Sequence, residues 1–98
     1  MGRKEEEEMK TSIKNWPKDD RPREKLLKNG EHTLSDSELL AILLRSGVKG
    51  ENAIDLARRI LAKFGTFRNM GHTDIRDWQE FKGLGEAKIT QIKAAIEV

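Results

Sequence analysis

Apolar residues in this chain recur at helical spacing. Ile89, Ile92 and Ile96 stand at i, i+3 and i+7, one face of a helix over 86–97. Ile75, Trp78 and Phe81 recur every third residue and predict a short helix over 74–81, with Thr73 as its cap. Between them runs Lys82-Gly83-Leu84-Gly85, so the C-terminal quarter reads as helix, glycine hairpin, helix. Upstream, Ser35-Asp36-Ser37-Glu38 is a capping box, with Leu34 and Leu39 at the positions of a hydrophobic staple. The helix it opens, Asp36 to Arg45, carries Leu39, Leu40, Ile42, Leu43 and Leu44 around most of its circumference and is expected to be the buried one.

Ser46-Gly47-Val48-Lys49-Gly50 breaks that helix, and another runs from Asn52 to Lys63 until Gly65 stops it. In it Ile54, Ala57 and Leu61 point inward, while Arg58, Arg59 and Lys63 point to solvent. Nearer the N-terminus, Asp20 as cap, Pro22 in the first turn and a closing Asn29-Gly30 bracket a helix of about two turns. Ile13 to Pro17 is expected to be extended, because the residue before a proline is pushed out of the helical region, with Trp16 as a clamp on the helices. Thr66 to Gly71 reads as a loop anchored by Phe67. No stretch alternates with period two. The expected fold is all-α, a compact domain of five helices over 12–98, preceded by a disordered acidic tail over 1–11.

An internal repeat adds to this picture. Superposing Gly50 on Gly85 aligns Ile54 with Ile89, Ala57 with Ile92 and Leu61 with Ile96, and each glycine follows a partner, Gly47 or Gly83. Two readings of the match stay open: a hairpin that occurs twice, or two capped helices that give the same short pattern by themselves.

Composition narrows the function. Charged residues make up 37% of the 98 positions and the net charge is +2. That mild balance permits a local nucleic-acid patch without demanding one. There is no cysteine, which excludes disulfide and thiolate chemistry and fits a reducing, cytoplasmic setting. No apolar run approaches the roughly 18 residues of a membrane span. His32 and His72 are both in expected loops, without metal-ligand spacing, and Asp36, Glu38 and Asp74 lie in first turns where they cap. No catalytic residue, metal or cofactor is therefore expected, and the chain is expected to act as a monomer.

The glycine hairpin is the candidate site. Glycines allow a close backbone approach, and the first amides of the following helix point outward at the positive end of its dipole. A dinucleotide fingerprint needs a third glycine where Lys88 stands, and a Walker loop needs Gly-Lys-Ser/Thr, which is missing. A helix-hairpin-helix holding a DNA phosphate and a plain tight corner between helices remain, and residue chemistry alone leaves both open. The candidate DNA contacts are Lys82, Gly83, Leu84, Gly85, Ala87 and Lys88, assisted by Ser46, Gly47, Lys49, Gly50 and Asn52. Glu86 and Glu51 oppose them by charge.

From Ile13 onward the sequence resembles the N-terminal domain of the RadC family. Trp16-Pro17, Asp20 to Leu27, Leu34 to Gly47, Asp55-Leu56-Ala57, Lys82 to Gly85 and Lys93 to Glu97 carry the resemblance. It implies a helical domain with a helix-hairpin-helix, associated by name with DNA repair. In that family the domain precedes a metal-dependent JAB/MPN-type domain marked by a His-x-His motif, and no such motif stands here. The resemblance therefore implies a non-catalytic DNA-binding module. The alternative is a module that docks on a JAB/MPN-type domain or another partner. One residue departs from the usual motif: four places after the second glycine, where a small residue is customary, stands Ile89.

Overall fold

The computed structural model describes Ile13 and residues 16–98; the acidic segment 1–11 lies outside the described residues. Among these there are five α-helices and no strand: α1 Pro22–Asn29, α2 Asp36–Leu44, α3 Ala53–Phe64, α4 Phe67–Gly71 and α5 Glu86–Glu97. Three 3₁₀ helices, Lys18–Asp20, Glu31–Thr33 and Ile75–Trp78, fill connections. The all-α expectation holds. The membership of the five differs, because 67–71 is an α-helix rather than a loop and 75–78 is 3₁₀ rather than α.

Local chemistry explains most boundaries. Ser35 caps α2 with its hydroxyl accepting from the Glu38 amide at 3.2 Å, and the Glu38 carboxylate returns to the Ser35 amide at 3.1 Å. Asn52 caps α3 through its side-chain oxygen, which accepts from the Asp55 amide at 2.9 Å. Thr66 does the same for α4, accepting from the Asn69 amide at 3.1 Å. That Thr-x-x-Asn pattern is what turns the expected loop into a short helix, aided by Met70, which is completely buried. Two caps move. Arg21 rather than Asp20 is the residue before α1, since Asp20 ends the preceding 3₁₀ turn. Asp74 rather than Thr73 caps the Ile75–Trp78 turn, because Thr73 is used in tertiary contacts instead. At the front of the described chain the Trp16 amide donates to the Ile13 carbonyl at 3.0 Å, and residues 14–15 of the segment expected to be extended lie outside the described residues. Trp16 packs on the core, as the clamp reading required.

α2 and α3 form the most extensive helix pair; α4 packs on α5, and α5 reaches back to α2. The buried helix is α3 rather than α2. Five residues of α3 (Ala53, Ile54, Leu56, Ala57, Ile60) are buried against three of α2 (Leu40, Ala41, Leu44). α3 divides its faces cleanly, with Ile54, Leu56, Ala57 and Ile60 inward and Asp55, Arg58 and Arg59 outward, whereas the apolar circumference of α2 is shared among α1, α3 and α5 and leaves Leu39, Ile42 and Leu43 half-buried.

Trp78 is fully buried and closes the other side of the core. Its ring lies 4.8 Å from Phe64 and 6.2 Å from Phe81, tilted to both, and its indole N–H donates to the Thr73 hydroxyl at 2.7 Å. Thr73 in turn donates to the Met70 carbonyl at 2.6 Å. Truncating such a tryptophan costs about 3–5 kcal/mol, a large part of the roughly 5–10 kcal/mol that stabilises a domain of this size. The segment without long helices, 67–85, is thus anchored by Trp78 together with the buried Met70, Phe81 and Leu84.

Glu38 also binds α1 to α2. Its carboxylate is 2.6 Å from the Lys25 ammonium, with the Glu38 side chain 17% exposed. Burial pushes the Glu38 carboxyl up, but the hydrogen bonds from Lys25 and Ser35 outweigh it and hold it below the usual glutamate value. A depressed carboxylate stabilises the fold above its unfolded-state value and loses that contribution as pH falls through its folded value. Glu38→Gln keeps a capping partner but not the charge. It is expected to cost about 1 kcal/mol at neutral pH. Urea unfolding of both proteins should show that gap closing as pH falls below the usual glutamate range and through the lowered folded value of Glu38; a gap independent of pH contradicts the assignment.

Candidate nucleic-acid interface

The two glycine segments meet. After α2 the chain forms a four-residue turn in which the Val48 amide donates to Glu51 O and the Glu51 amide to Val48 O, both at 3.0 Å. Gly50 takes the third place of that turn with φ +80°, as a type II turn requires. Before α5, the Leu84 amide donates to Phe81 O at 3.1 Å, and Gly83 takes the same third place with φ +84°. A Cβ at Gly83 would stand 3.3 Å from Val48 Cβ and Cγ1, so the second turn rests on the first. Lys88 completes the junction by donating to the Ser46 hydroxyl at 2.8 Å and the Ser46 carbonyl at 3.3 Å.

This geometry corrects the register of the repeat. Gly50 corresponds to Gly83, since both are left-handed at the third turn position, and Asn52 corresponds to Gly85, since both are N-caps. Gly85 itself has φ −82°, an ordinary value, so its pairing with Gly50 does not hold.

Gly47 carries the tightest approach. A Cβ there would lie 2.0 Å from Glu51 O and 2.6 Å from Asn52 C, positions no real side chain occupies. The chain folds back over position 47 to begin α3. Gly85 is the opposite case, because a Cβ there would meet no atom within 4 Å.

Each expected site residue can now be placed. Ser46, Gly47, Gly83 and Lys88 are brought into one junction; Lys49 and Gly50 form the exposed apex of the first turn, and Lys82 and Gly83 that of the second. Leu84 is buried, 8% exposed, so its side chain belongs to the core and its amide to the turn. The Asn52 side-chain oxygen is committed to the α3 cap. Ala87 and Glu86 are exposed in the first turn of α5. Ile89 is 3% exposed and lies in the common core with Ile92.

The amides of α5 differ from those of α2 and α3, while α1 also begins without a side-chain cap. α2 and α3 have a side-chain cap, whereas Gly85 supplies none, and the first bond of α5 is from the Ile89 amide to Gly85 O at 3.2 Å. The amides of Glu86, Ala87 and Lys88 are thereby left without a protein acceptor.

Charge is divided unevenly around this end. Glu51, expected to oppose an anion at the first turn, is held by Arg59 through two bonds of 2.8 and 2.9 Å. Arg59 also lies over the Phe81 ring at 5.4 Å, and Lys63 binds Glu80 and the Asp77 carbonyl. Arg58 pairs with Asp55. The basic face of α3 is therefore largely spent on internal pairs. Lys49 and Lys82 are exposed and, among the described residues, make no ion pair or hydrogen bond, and Glu86 is an opposing charge without a partner among them. What sequence reasoning missed is that Lys88 and Ser46 bond to each other across 42 positions of chain. No local pattern signals such a strut.

Among the described residues no group of three or more His, Cys, Asp or Glu could hold a metal ion, and no helix is long and apolar enough to cross a membrane.

Residues 13–90 match the family model of the UPF0758 N-terminal domain. The chain is 52% identical to a UPF0758 protein of Saccharophagus degradans over 87 residues, 89% of this chain and 39% of that protein. Against the UPF0758 protein of Ectopseudomonas mendocina the identity is 51%, again over 89% of this chain and 39% of the relative. A third, from Pseudoalteromonas atlantica, is 52% identical over 88% of this chain and 38% of its own. The chain thus spans about two-fifths of the length of these relatives. No solved structure matches it.

The two glycines without equal structural need separate fold from site. Gly47→Ala is expected to lose roughly 3 kcal/mol, because backbone rather than a flexible side chain must move. Gly85→Ala should stay within about 1 kcal/mol of the parent, lost capping preference offsetting reduced unfolded-state freedom. Denaturant midpoints of the two variants check this; equal losses contradict it.

Proposed function

The chain belongs to the UPF0758 family, the RadC-like group, and on that footing we propose that its helical domain is a non-catalytic module binding the phosphate backbone of DNA through the joined glycine turns. The observation that carries the reading is Gly85. Nothing in the fold requires glycine there, yet its missing side chain leaves open space before the unpaired amides of Glu86, Ala87 and Lys88. An anion seated on those amides gains from the helix dipole of a twelve-residue helix. The first turn, braced on the second by Val48 and by the Lys88–Ser46 bonds, adds the exposed Lys49, and the second turn adds the exposed Lys82. Backbone amides and two exposed cations read phosphates, not bases, so the binding is sequence-tolerant. An association with DNA repair follows only from the resemblance and adds no contact.

The docking alternative has less support. α2, on whose apolar circumference it relied, has Leu40, Ala41 and Leu44 buried and Leu39, Ile42 and Leu43 half-buried. Among the described residues the large apolar side chains that are exposed are Leu27 on α1, Ile75 in the 3₁₀ turn and Val98, on three different elements of the chain, and scattered apolar residues of this kind need no partner.

A junction of this size engages roughly two to four phosphates, giving a salt slope of about −2 to −4 in log K against log salt. Lys49→Glu and Lys82→Glu are each expected to weaken binding of every sequence alike and to flatten that slope by about 1. Gly85→Ala is expected to weaken binding with its fold intact. Fluorescence anisotropy with labelled duplex and single-stranded DNA at low salt measures all three. Absence of binding by the parent protein to either DNA sinks the reading.

A further inference from the structure

Arg45 is the one non-glycine residue with positive φ among the described residues. It ends α2 at φ 69°, ψ −43°, and the Ser46 amide donates across it to Leu44 O at 2.8 Å. That is a γ-turn of the strained hand, rare for a residue with a Cβ. The chain contains its own comparison. Gly65 ends α3 at φ 85°, ψ −54°, nearly the same conformation, and Gly30 ends α1 at φ 90°. At those two helix ends the chain uses glycine, and at Arg45 it accepts the strain.

The arginine gives the fold nothing visible in return. Its side chain is exposed and makes no hydrogen bond, ion pair or ring contact among the described residues, whereas Arg58, Arg59 and Arg76 pair with Asp55, Glu51 and Asp74. Arg23 and Arg68 are also exposed without an ion pair, but both sit on ordinary helical backbone away from the glycine turns in sequence. Arg45 immediately precedes Ser46, the residue that Lys88 of α5 bonds at 2.8 Å. Lys88 is thereby occupied, and the strained residue next to its partner holds an unoccupied guanidinium.

We propose that Arg45 is a phosphate-contacting residue of the joined turns, held in a strained conformation that presents its guanidinium to a phosphodiester oxygen of the DNA backbone. This rests on the reading of the turns as a DNA-backbone site and adds a contact residue to it. Guanidinium suits the role, since its planar fork takes two oxygens of one phosphate. The strain makes a signature that an ordinary surface arginine lacks: removing the side chain together with its Cβ stabilises the protein while it damages binding.

The test uses the full chain and a short labelled duplex of mixed sequence. Arg45→Ala is expected to weaken binding about tenfold and to flatten the salt slope by about 0.9, one phosphate contact. Arg45→Gly is expected to lose the same affinity while its unfolding midpoint rises by about 4 °C or more. Arg23→Ala, on α1, is expected to bind like the parent. If the parent binds and Arg45→Ala binds equally well, the proposal is overturned while the reading of the turns stands. An Arg45→Gly midpoint that does not rise overturns the strain argument and the proposal with it. A parent protein that binds no DNA removes the reading of the turns, and this contact falls with it.

Discussion

The turn between α2 and α3 closes only because position 47 has no side chain. Glu51 O would lie 2.0 Å from a Cβ at Gly47, so the backbone of 51–52 occupies the space where any other residue would put an atom. From that contact the rest follows in order. The return over Gly47 lets Val48 and Glu51 exchange their two bonds and lets Asn52 cap α3. α3 then enters the core at the angle that buries Ala53, Ile54, Leu56, Ala57 and Ile60. Val48 is left where Gly83 must rest on it, which fixes the second turn and the start of α5.

Much of this was legible in the sequence where the interaction is local. Ser35 and Glu38 are three residues apart and announce their mutual bonds; Gly85 and the Ile89, Ile92, Ile96 stripe announce α5 to the residue. Legibility failed where the partner is distant or the element is short. Phe67–Gly71 is a single short helix whose stability comes from burying Met70, so propensity alone left it a loop. Thr73 has the composition of a cap, but Trp78 and Met70 claim its hydroxyl and Asp74 takes the cap.

The candidate site was legible in its glycines and illegible in its charges. Apolar spacing matched the two helices by their stripes and misplaced the turns: with the turns in register, Ile89, Ile92 and Ile96 fall opposite Leu56, Arg59 and Lys63, so the likeness lies in the turns and not in the helix faces. The signs of φ at Gly50 and Gly83 fix that register. Nor does sequence say which cations are spent. Arg59 and Lys63 fold onto Glu51, Glu80 and the Phe81 ring, and Lys88 ties the turns together. The same pairing that removes Lys88 from the list of free charges also neutralises nothing acidic, since its acceptors are a hydroxyl and a carbonyl. Its positive charge therefore still acts on an anion beside it.

The central claim is that the two turns act together as one backbone-phosphate surface. Amide chemical shifts followed through a titration with a short DNA duplex test it most directly. The account predicts that the amides of Gly85, Glu86, Ala87 and Lys88 and those of Lys49 and Gly50 shift together along one binding curve, with α1 and α4 unmoved. Shifts scattered over the surface, or confined to one turn with the other silent, would contradict it.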